Sequence, residues 1–424
     1  MANKRKLHGI LGIFLDALVI NIFTFLTLVF LWVFIDSVDL FNPFDEFFDN
    51  FDYTDLYYSE FMDDDMPTDT NIFIVNIGDL NRREIAEQIN ILQMYHPKVI
   101  GIDVVFAERR GMDDFMLQQA LNSGDNIVLG GFGIYDEKGE PTGIIKSDPF
   151  FGDKPVGHLE MQADPKTVRE FDKFIRFNDT IINAFTLEIA SKYNEDLFLK
   201  FAQRKDQVEM INYRGGRMPF IIFDYEEIND TNESLKIIED KIVLMGYVRM
   251  FSGAPADTID SHFTPLKRSD YGYADAKGIE IHAHILSMIL AEKYIDRFPY
   301  LANLLIAFII TQLFLMWLVY YYVNGAKLFD ILSKPIQFIL IVLVLWSTFL
   351  IFSNYALKID AIPIILALIL CIELLYLYEE SLELFKINTY LTKNFNYTKD
   401  ERVKVFRSII RFEFLKPKHK RSNK

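Results

Sequence analysis

The sequence predicts an α/β extracytoplasmic domain with a mainly parallel sheet, together with four transmembrane α-helices, one N-terminal and three C-terminal. Four long apolar runs are the first observation, because a helix needs about 20 apolar residues to cross a bilayer core of about 30 Å. The second is an alternation of short apolar runs with helix-periodic segments between the first and second of these runs, which is typical of a parallel sheet covered by helices. The four runs are residues 10–35, 301–323, 335–353 and 359–378.

Several short, nearly continuous apolar runs predict buried strands of one sheet. They are NIFIVNIG (71–78), KVIGIDVVF (98–106), NIVLGGFGIY (126–135) and KIVLMG (241–246). VGHLEM (156–161), FIRFNDTI (174–181) and VEMINYRGG (208–216) favour strands in a less regular middle part.

Helices are predicted between and after these strands from apolar residues at helical spacing, such as Ile85, Ile89 and Leu92. The predicted helical segments are DLNRREIAEQINILQMYH (79–96), MDDFMLQQALNSG (112–124), AFTLEIASKYNEDLFLKFAQR (184–204) and GIEIHAHILSMILAEKYI (278–295). The last of these leads into the second apolar run.

Basic residues near the apolar runs predict the orientation in the membrane. Lys4, Arg5 and Lys6 precede the first run, Lys327 and Lys334 lie between the second and third, and the C-terminal tail is rich in Lys and Arg. Residues 36–71 contain neither Lys nor Arg. We therefore expect a bacterial inner-membrane protein with both termini cytoplasmic and the large segment outside. Because the net charge is −15 and the acid lies mainly in that segment, the charge does not favour nucleic-acid binding.

These observations divide the chain into eight parts. They are a cytoplasmic N-terminus (1–9), a transmembrane signal anchor (10–35), an acidic, aromatic stalk (36–70), the α/β domain (71–297), three transmembrane helices (301–323, 335–353, 359–378) and a basic cytoplasmic tail (379–424). The single cysteine, Cys371, lies in the fourth run, so we expect no disulfide in the outer domain.

The tail carries an apolar stripe flanked by basic residues, a pattern typical of a helix that contacts a membrane surface or a partner protein. The stripe is Val403, Phe406 and Ile410, and the basic residues are Lys404, Arg407 and Arg411. Two acids, Asp16 and Glu373, fall within the apolar runs, where an acid is by default a functional candidate. A role in helix packing or at the membrane interface is the favoured alternative, and a proton or ion path is the other.

Acidic residues follow the predicted strands, at the edge where open α/β sheets bind ligands. The candidate pocket for a small ligand or a cation consists of Asp79, Asp103, Glu108 and Asp260. His282 is a further candidate ligand-binding residue. The alternative is that the acids cap helices or bind loop amides, and that His282 bonds to the loop 260–266.

The sequence predicts no metal site, no cofactor and no catalytic residue. On a helix, His282 and His284 point about 200° apart and cannot share a metal. The chain contains neither a Gly-x-Ser-x-Gly motif nor a phosphate-binding Gly-x-x-x-x-Gly-Lys motif. We therefore expect a protein that is not an enzyme.

An ordered set of short motifs between residues 71 and 297 resembles the CHASE domains of type 2, the cyclase- and histidine-kinase-associated sensory extracellular domains. The motifs are Val75–Asp79, GIDVVFAE with Asp103 and Glu108, Asn212–Gly215, Val243–Gly246, Asp260 before Thr264–Pro265–Leu266, and Gly278–Ala283. The resemblance implies a sensory domain followed by three transmembrane helices. Family receptors continue into a cyclase, kinase or similar output domain, whereas about 46 residues follow the last span here.

Two functions are therefore expected. The first is a membrane sensor whose outer domain binds a small ligand or a protein and signals to a separate effector in the membrane or cytoplasm. The second is a scaffold subunit of a membrane complex that senses nothing. Membrane lipid and a protein partner are expected in both cases, and the resemblance also implies a homo-oligomer.

Overall fold

The computed structural model describes residues 2–36, 52–164, 167–229, 233–248, 260–267, 274–324 and 329–394. Residues 37–51 of the predicted stalk lie outside these ranges. So do the predicted tail contacts Val403, Lys404, Phe406, Arg407, Ile410 and Arg411.

The α-helices include four long apolar ones and several shorter, more polar ones. In chain order they are α1 (Ala2–Asp36), α2 (Tyr53–Leu56), α3 (Arg82–Met94), α4 (Asp113–Leu121), α5 (Phe185–Tyr193), α6 (Glu195–Ala202), α7 (Tyr225–Asn229), α8 (Gly278–Leu290), α9 (Tyr300–Asn324), α10 (Phe329–Tyr355), α11 (Ile362–Phe385) and α12 (Tyr390–Asn394). A π-helical turn, Tyr57–Phe61, continues α2, and Pro149–Phe151 and Glu233–Ile238 are 3₁₀ turns.

The strands are mostly short. They are β1 (Asp69–Asn76), β2 (Val99–Ile102), β3 (Ile127–Tyr135), β4 (Pro141–Ile145), β5 (Val156–His158), β6 (Gln162–Asp164), β7 (Thr167–Asp172), β8 (Phe174–Phe177), β9 (Thr180–Asn183), β10 (Val208–Met210), β11 (Phe220–Phe223), β12 (Ile242–Gly246), β13 (Ser261–His262), β14 (Ala276–Lys277), β15 (Asp296–Arg297) and β16 (Leu357–Lys358).

A seven-stranded sheet is the centre of the α/β domain, in the order β11-β1-β12-β2-β3-β4, with β5 also paired to β3. Every pairing is parallel except that of β3 with β4. The central strands β1, β12 and β2 are buried almost throughout, which explains their near-continuous apolar sequences. The predicted α/β class, with one apolar helix before the domain and three after it, is confirmed.

Helices cover both faces of this sheet. Alternate residues of each strand point to opposite faces and pack against the helices on that side. On one face, Val75, Ile102 and Met245 pack with Ile89 of α3 and Leu117 of α4 in a single buried core; this is the α3/α4 face. The other is the α5/α8 face.

Close packing on the α5/α8 face requires glycine in the strands. A Cβ atom at Gly101 would lie 2.4 Å from Ile189 of α5, and one at Gly246 would lie 2.8 Å from Ile279 of α8. The two glycines therefore let these helices approach the sheet closely.

Two segments differ from the sequence prediction because polar residues interrupt them. The single helix predicted for 184–204 is two helices, since Asn194 is extended (φ −157°) and its side chain accepts hydrogen bonds from the amides of Asp196 and Leu197 at the start of α6. The single strand predicted for 174–181 is the β8–β9 hairpin, which turns at Asn178 with φ +51°.

Residues 52–61, within the predicted stalk, pack in the same compact unit as the α/β domain. Asp55 forms two hydrogen bonds with the guanidinium of Arg169, at 2.7 and 2.9 Å, and both side chains are largely buried. The buried Tyr58 hydroxyl lies 3.2 Å from Oδ1 of Asn212.

The second compact unit contains the long apolar helices. Among the described residues, four helices are long and apolar enough to cross a membrane: Gly9–Val33, Tyr300–Asn324, Ile331–Tyr355 and Ile362–Phe385. Residues of α1, α9, α10 and α11 share one buried core. The short parallel pair β15–β16 joins the chain before α9 to the chain before α11.

Buried polar side chains in this bundle bind partners on neighbouring helices. Asp16 on α1 accepts hydrogen bonds from the Tyr378 hydroxyl (3.0 Å) and from the amide of Leu391 (2.8 Å), which joins α1 to α11 and α12. Asn21 donates to Oε1 of Gln312 at 3.2 Å. These contacts support a packing role for Asp16.

The two other acids of the bundle differ in burial. Glu373 is exposed and paired with Lys334 of α10. Glu379 is buried and accepts a hydrogen bond from the Tyr322 hydroxyl of α9. Glu373 lies within the apolar run 359–378 and Glu379 just beyond it, so only packing shows that Glu379 is the buried acid.

Candidate functional site at the carboxyl edge of the sheet

The carboxyl ends of β1, β12 and β2 lie side by side, because these strands are parallel neighbours. Asp103 directly follows β2, and its amide donates to the carbonyl of Met245 at 2.8 Å. The pleat continues from Gly101, so the side chain of Asp103 belongs to the α5/α8 face.

Asp260 binds the first turn of α8. Its Oδ2 accepts a hydrogen bond from the amide of Gly278 at 3.0 Å, and its Oδ1 lies 3.0 Å from Nε2 of His262. Asp260 has φ +46° and therefore occupies the left-handed region, which aspartate tolerates better than most residues. His282 lies one helical turn after Gly278 on the same side of α8.

Asp260 acts electrostatically on both Asp103 and His282. The pKa of Asp103 is raised to about 7, mainly by burial and in part by the negative charge of Asp260. The pKa of His282 is lowered to about 3, mainly by burial; His158 and His262 contribute to the decrease, and Asp260 opposes it. Near neutral pH, His282 is therefore uncharged and Asp103 is partly protonated.

Several buried polar atoms of His282 and of residues 158–160 lack a hydrogen-bond partner within the described part of the chain. They are Nδ1 of His282, both ring nitrogens of His158 and Oε2 of Glu160. Nδ1 of His158 and Oε2 of Glu160 are 3.4 Å apart, but the two atoms do not form a hydrogen bond. Unsatisfied buried groups are rare in native proteins and indicate a site for water, an ion or a ligand.

His158 belongs to this group but is not among the candidate residues predicted from the sequence. It ends β5 and is bridged to Ala184, and the following residue, Phe185, places its ring 5.2 Å from the ring of His282. The available signal was a lone histidine at the end of an apolar strand. Because long segments separate residues 158, 184 and 282, only the fold shows that they meet.

His284 is two residues from His282 and has different neighbours. Its Nδ1 accepts a hydrogen bond from the amide of Arg214 at 3.0 Å, and its ring packs against Tyr213 and Phe220. Within the ranges that the structure describes, no three His, Cys, Asp or Glu side chains are placed to hold a metal ion.

A cavity of about 490 Å³ lies at the same edge on the α3/α4 face. Its lining comes from the loops after β1 and β2 and from the starts of α3 and α4. The lining residues are Ile77, Leu80, Asn81, Arg82, Ile85, Val104, Val105, Phe106, Arg110, Gly111, Met112, Asp113 and Asp114. Its volume falls within the range of small-ligand pockets, about 300–1,000 Å³.

The candidate residues from the sequence are thus divided between two places. Asp103, Asp260 and His282 come together on the α5/α8 face. Asp79 and Glu108 are exposed on the loops after β1 and β2, and the carbonyl of Glu108 accepts a hydrogen bond from Arg82, a cavity residue.

A comparison with known protein families gives a match over most of the chain. The CHASE2 domain family matches residues 44–322, well over half of the 424 residues. The chain belongs to the CHASE2 domain family. No curated protein matches the chain, and no solved structure matches it. In this CHASE2 domain, three motifs that are far apart in sequence supply Asp103, Asp260 and His282 to one place.

Proposed function

We propose that this protein is a bacterial inner-membrane sensor without catalytic activity of its own. Its CHASE2 domain lies outside the cytoplasm, binds a small ligand at the carboxyl edge of the sheet and signals to a separate effector. CHASE2 is a family of sensory domains, which supports the general role. The cavity of about 490 Å³ at this edge carries the assignment of ligand binding.

The orientation rests on charge. Lys4, Arg5 and Lys6 precede α1 and favour a cytoplasmic N-terminus. With four spans, the C-terminus returns to the same side as the N-terminus. A ligand signals only when it binds two conformations of the protein with different affinity. Ligand binding in the cavity must therefore change the conformation of the bundle helices that the effector contacts.

Ligand binding is tested by the thermal stability of the full chain in detergent against a library of metabolites and cations. A ligand of the cavity should raise the melting temperature, and Met112→Trp should abolish that increase. Met112 is 81 % exposed and borders the cavity, so the larger ring fills space without disturbing the core. Met218→Trp, at another methionine that is 69 % exposed, is the matched control. Equal losses in both variants would contradict the assignment to the cavity.

A scaffold role is the second candidate function. Phe132 of β3 and Ile145 of β4 are cross-strand partners, and both are almost half exposed, as is Ile134 on the same side of the ribbon. Exposed apolar side chains on one face favour a protein contact. Stable co-purification of one partner from native membrane, its release by Phe132→Asp, and no stabilisation by any small molecule would support the scaffold over the sensor.

A further inference from the structure

The charged residues that border the cavity on the α3/α4 face fall into two groups. Arg82 is paired with Asp114 and donates a hydrogen bond to the carbonyl of Glu108 at 2.6 Å. Its guanidinium also stacks over the rings of Phe106 and Phe151, with the Cζ atom 5.7 and 5.3 Å from the two ring centroids. Each of these interactions holds the guanidinium in place. The Arg82 side chain is only 12 % exposed, so it offers little surface to a ligand.

Both carboxylate oxygens of Asp114 also have partners within the protein. Its Oδ1 pairs with Arg82, and its Oδ2 accepts hydrogen bonds from the amides of Arg110 and Gly111 at 2.5 and 3.0 Å. Burial alone would raise the pKa of Asp114, but the hydrogen bonds from Arg82 and the two amides lower it. The carboxylate is ionised and neutralised from within the protein.

Arg110 and Asp113 form the other group. Both are exposed and both border the cavity. Neither side chain has a hydrogen bond or an ion pair with any described residue. One positive and one negative group, three residues apart, thus remain available at the same cavity.

The rest of the lining is largely apolar. Ile77, Ile85 and Phe106 are buried, Leu80 and Val104 are half-buried, and Met112 is 81 % exposed. A ligand with an apolar part would remove the Met112 side chain from water. A ligand that carries one negative and one positive group can pair with Arg110 and Asp113 at the same time.

We propose that this cavity binds a free α-amino acid with an apolar side chain. Its carboxylate pairs with Arg110, its ammonium group pairs with Asp113, and its side chain contacts the apolar wall. The inference rests on the proposed sensory function and names its ligand class. The bidentate geometry of guanidinium with carboxylate gives Arg110 its selectivity for that end of the ligand.

The experiment is isothermal titration of the full chain in nanodiscs with L-leucine, L-methionine and L-phenylalanine. Leucinamide, which lacks the carboxylate, and N-acetyl-L-leucine, which lacks the ammonium group, are the probes of each end. The variants are Arg110→Gln and Asp113→Asn. Arg109→Gln is the matched control, because the neighbouring Arg109 pairs with Asp148 (3.4 Å) and does not line the cavity.

The wild type should bind leucine at least about tenfold more tightly than either probe, since each probe loses one charge-assisted pair. Arg110→Gln should weaken leucine binding by a similar factor and abolish the preference for leucine over leucinamide. Asp113→Asn should abolish the preference for leucine over N-acetyl-L-leucine. Arg109→Gln should leave all three affinities unchanged.

Three outcomes would overturn the inference. If both cavity variants bind leucine as the wild type does, the amino acid does not bind here. If no amino acid binds but another metabolite stabilises the protein in a Met112-dependent manner, the ligand class is wrong and the sensor function stands. If no compound of the library binds, the sensor function fails together with the inference.

Discussion

The two faces of the CHASE2 sheet differ in how their ionisable side chains are paired at the carboxyl edge. On the α3/α4 face, the largely buried Arg82 and Asp114 neutralise each other beside a cavity of about 490 Å³. On the α5/α8 face, Nδ1 of the buried His282 has no hydrogen-bond partner among the described residues, and the pKa of Asp103 is raised to about 7. Paired charges stabilise the wall of the cavity, whereas burial shifts the pKa values of Asp103 and His282 and makes the other face sensitive to pH.

Close packing at β5 distinguishes the α5/α8 face most strongly. A Cβ atom at Gly157 would lie 2.4 Å from the Cα of Phe185 and 2.6 Å from its backbone nitrogen. Because backbone atoms cannot move aside as a side chain can, Gly157→Ala should lower the free energy of unfolding by about 3 kcal/mol. Urea unfolding of the full chain in detergent measures this loss. Gly143→Ala, where the added atom would meet only the side chain of Ile134, should cost far less; equal losses would show that β5 is not tightly packed.

The pair on the α3/α4 face predicts the next largest effect. Arg82→Met removes the partner of Asp114 and leaves its carboxylate without a counter-charge. The melting temperature should fall several times more than in Arg83→Met, because Arg83 forms only an exposed pair with Glu87 one turn away. Similar melting temperatures for the two variants would show that pairing does not stabilise this face.

Asp103 should make stability fall as pH rises. Its pKa is raised from 3.8 to about 7, so between these values the folded state holds a proton that the unfolded state has released. Stability from this proton is therefore lost as pH rises through that window, by up to about 1 kcal/mol per pH unit. Relative to the wild type, Asp103→Asn should gain stability from pH 4 to 7. The control is Asp79→Asn at an exposed loop position, and a parallel gain in it would contradict this role of Asp103.

His282 should make stability fall as pH decreases, which is opposite to the effect of Asp103. Its pKa is lowered from 6.5 to about 3, so between these values the unfolded state binds a proton that the folded state does not. Stability is lost as pH falls through this window. Relative to the wild type, His282→Gln should gain stability from pH 6.5 down to 3, on a similar scale. The opposing effects of Asp103 and His282 on the free energy of unfolding overlap between about pH 4 and 6.5. The stability of the wild type should therefore depend less on pH in this range than that of either variant. If the stability of His282→Gln changed with pH in parallel with that of the wild type, this role of His282 would be wrong.

The sequence was sufficient for the elements whose apolar pattern is regular. The β12 prediction at 241–246 and the helix predictions around α3 and α4 agree with the structure to within a few residues, because burial on one or both faces imposes a period on the sequence. The middle part was less predictable. The break at Asn194 and the β8–β9 hairpin depend on single residues that cap or turn the chain.

The candidate site was predictable only in part. Asp103, Asp260 and His282 were singled out because acids after strands mark the ligand-binding edge of an α/β sheet and because they belong to the family motifs. The pairing of Arg82 with Asp114 and the burial of His158 were not predicted. Both depend on contacts across at least 26 positions, for which the sequence carries no periodic signal.

By itself, the sequence determined the α/β class, the four apolar helices and the motifs of the CHASE2 family, since hydrophobic period, run length and motif order are all local or linear properties. The tertiary structure alone decided which side of the sheet each polar residue faces. A strand places successive side chains on opposite faces, so Asp103 lies on the α5/α8 face while neighbouring Val104 lines the cavity on the α3/α4 face. One edge of one sheet thus carries two chemically different sites.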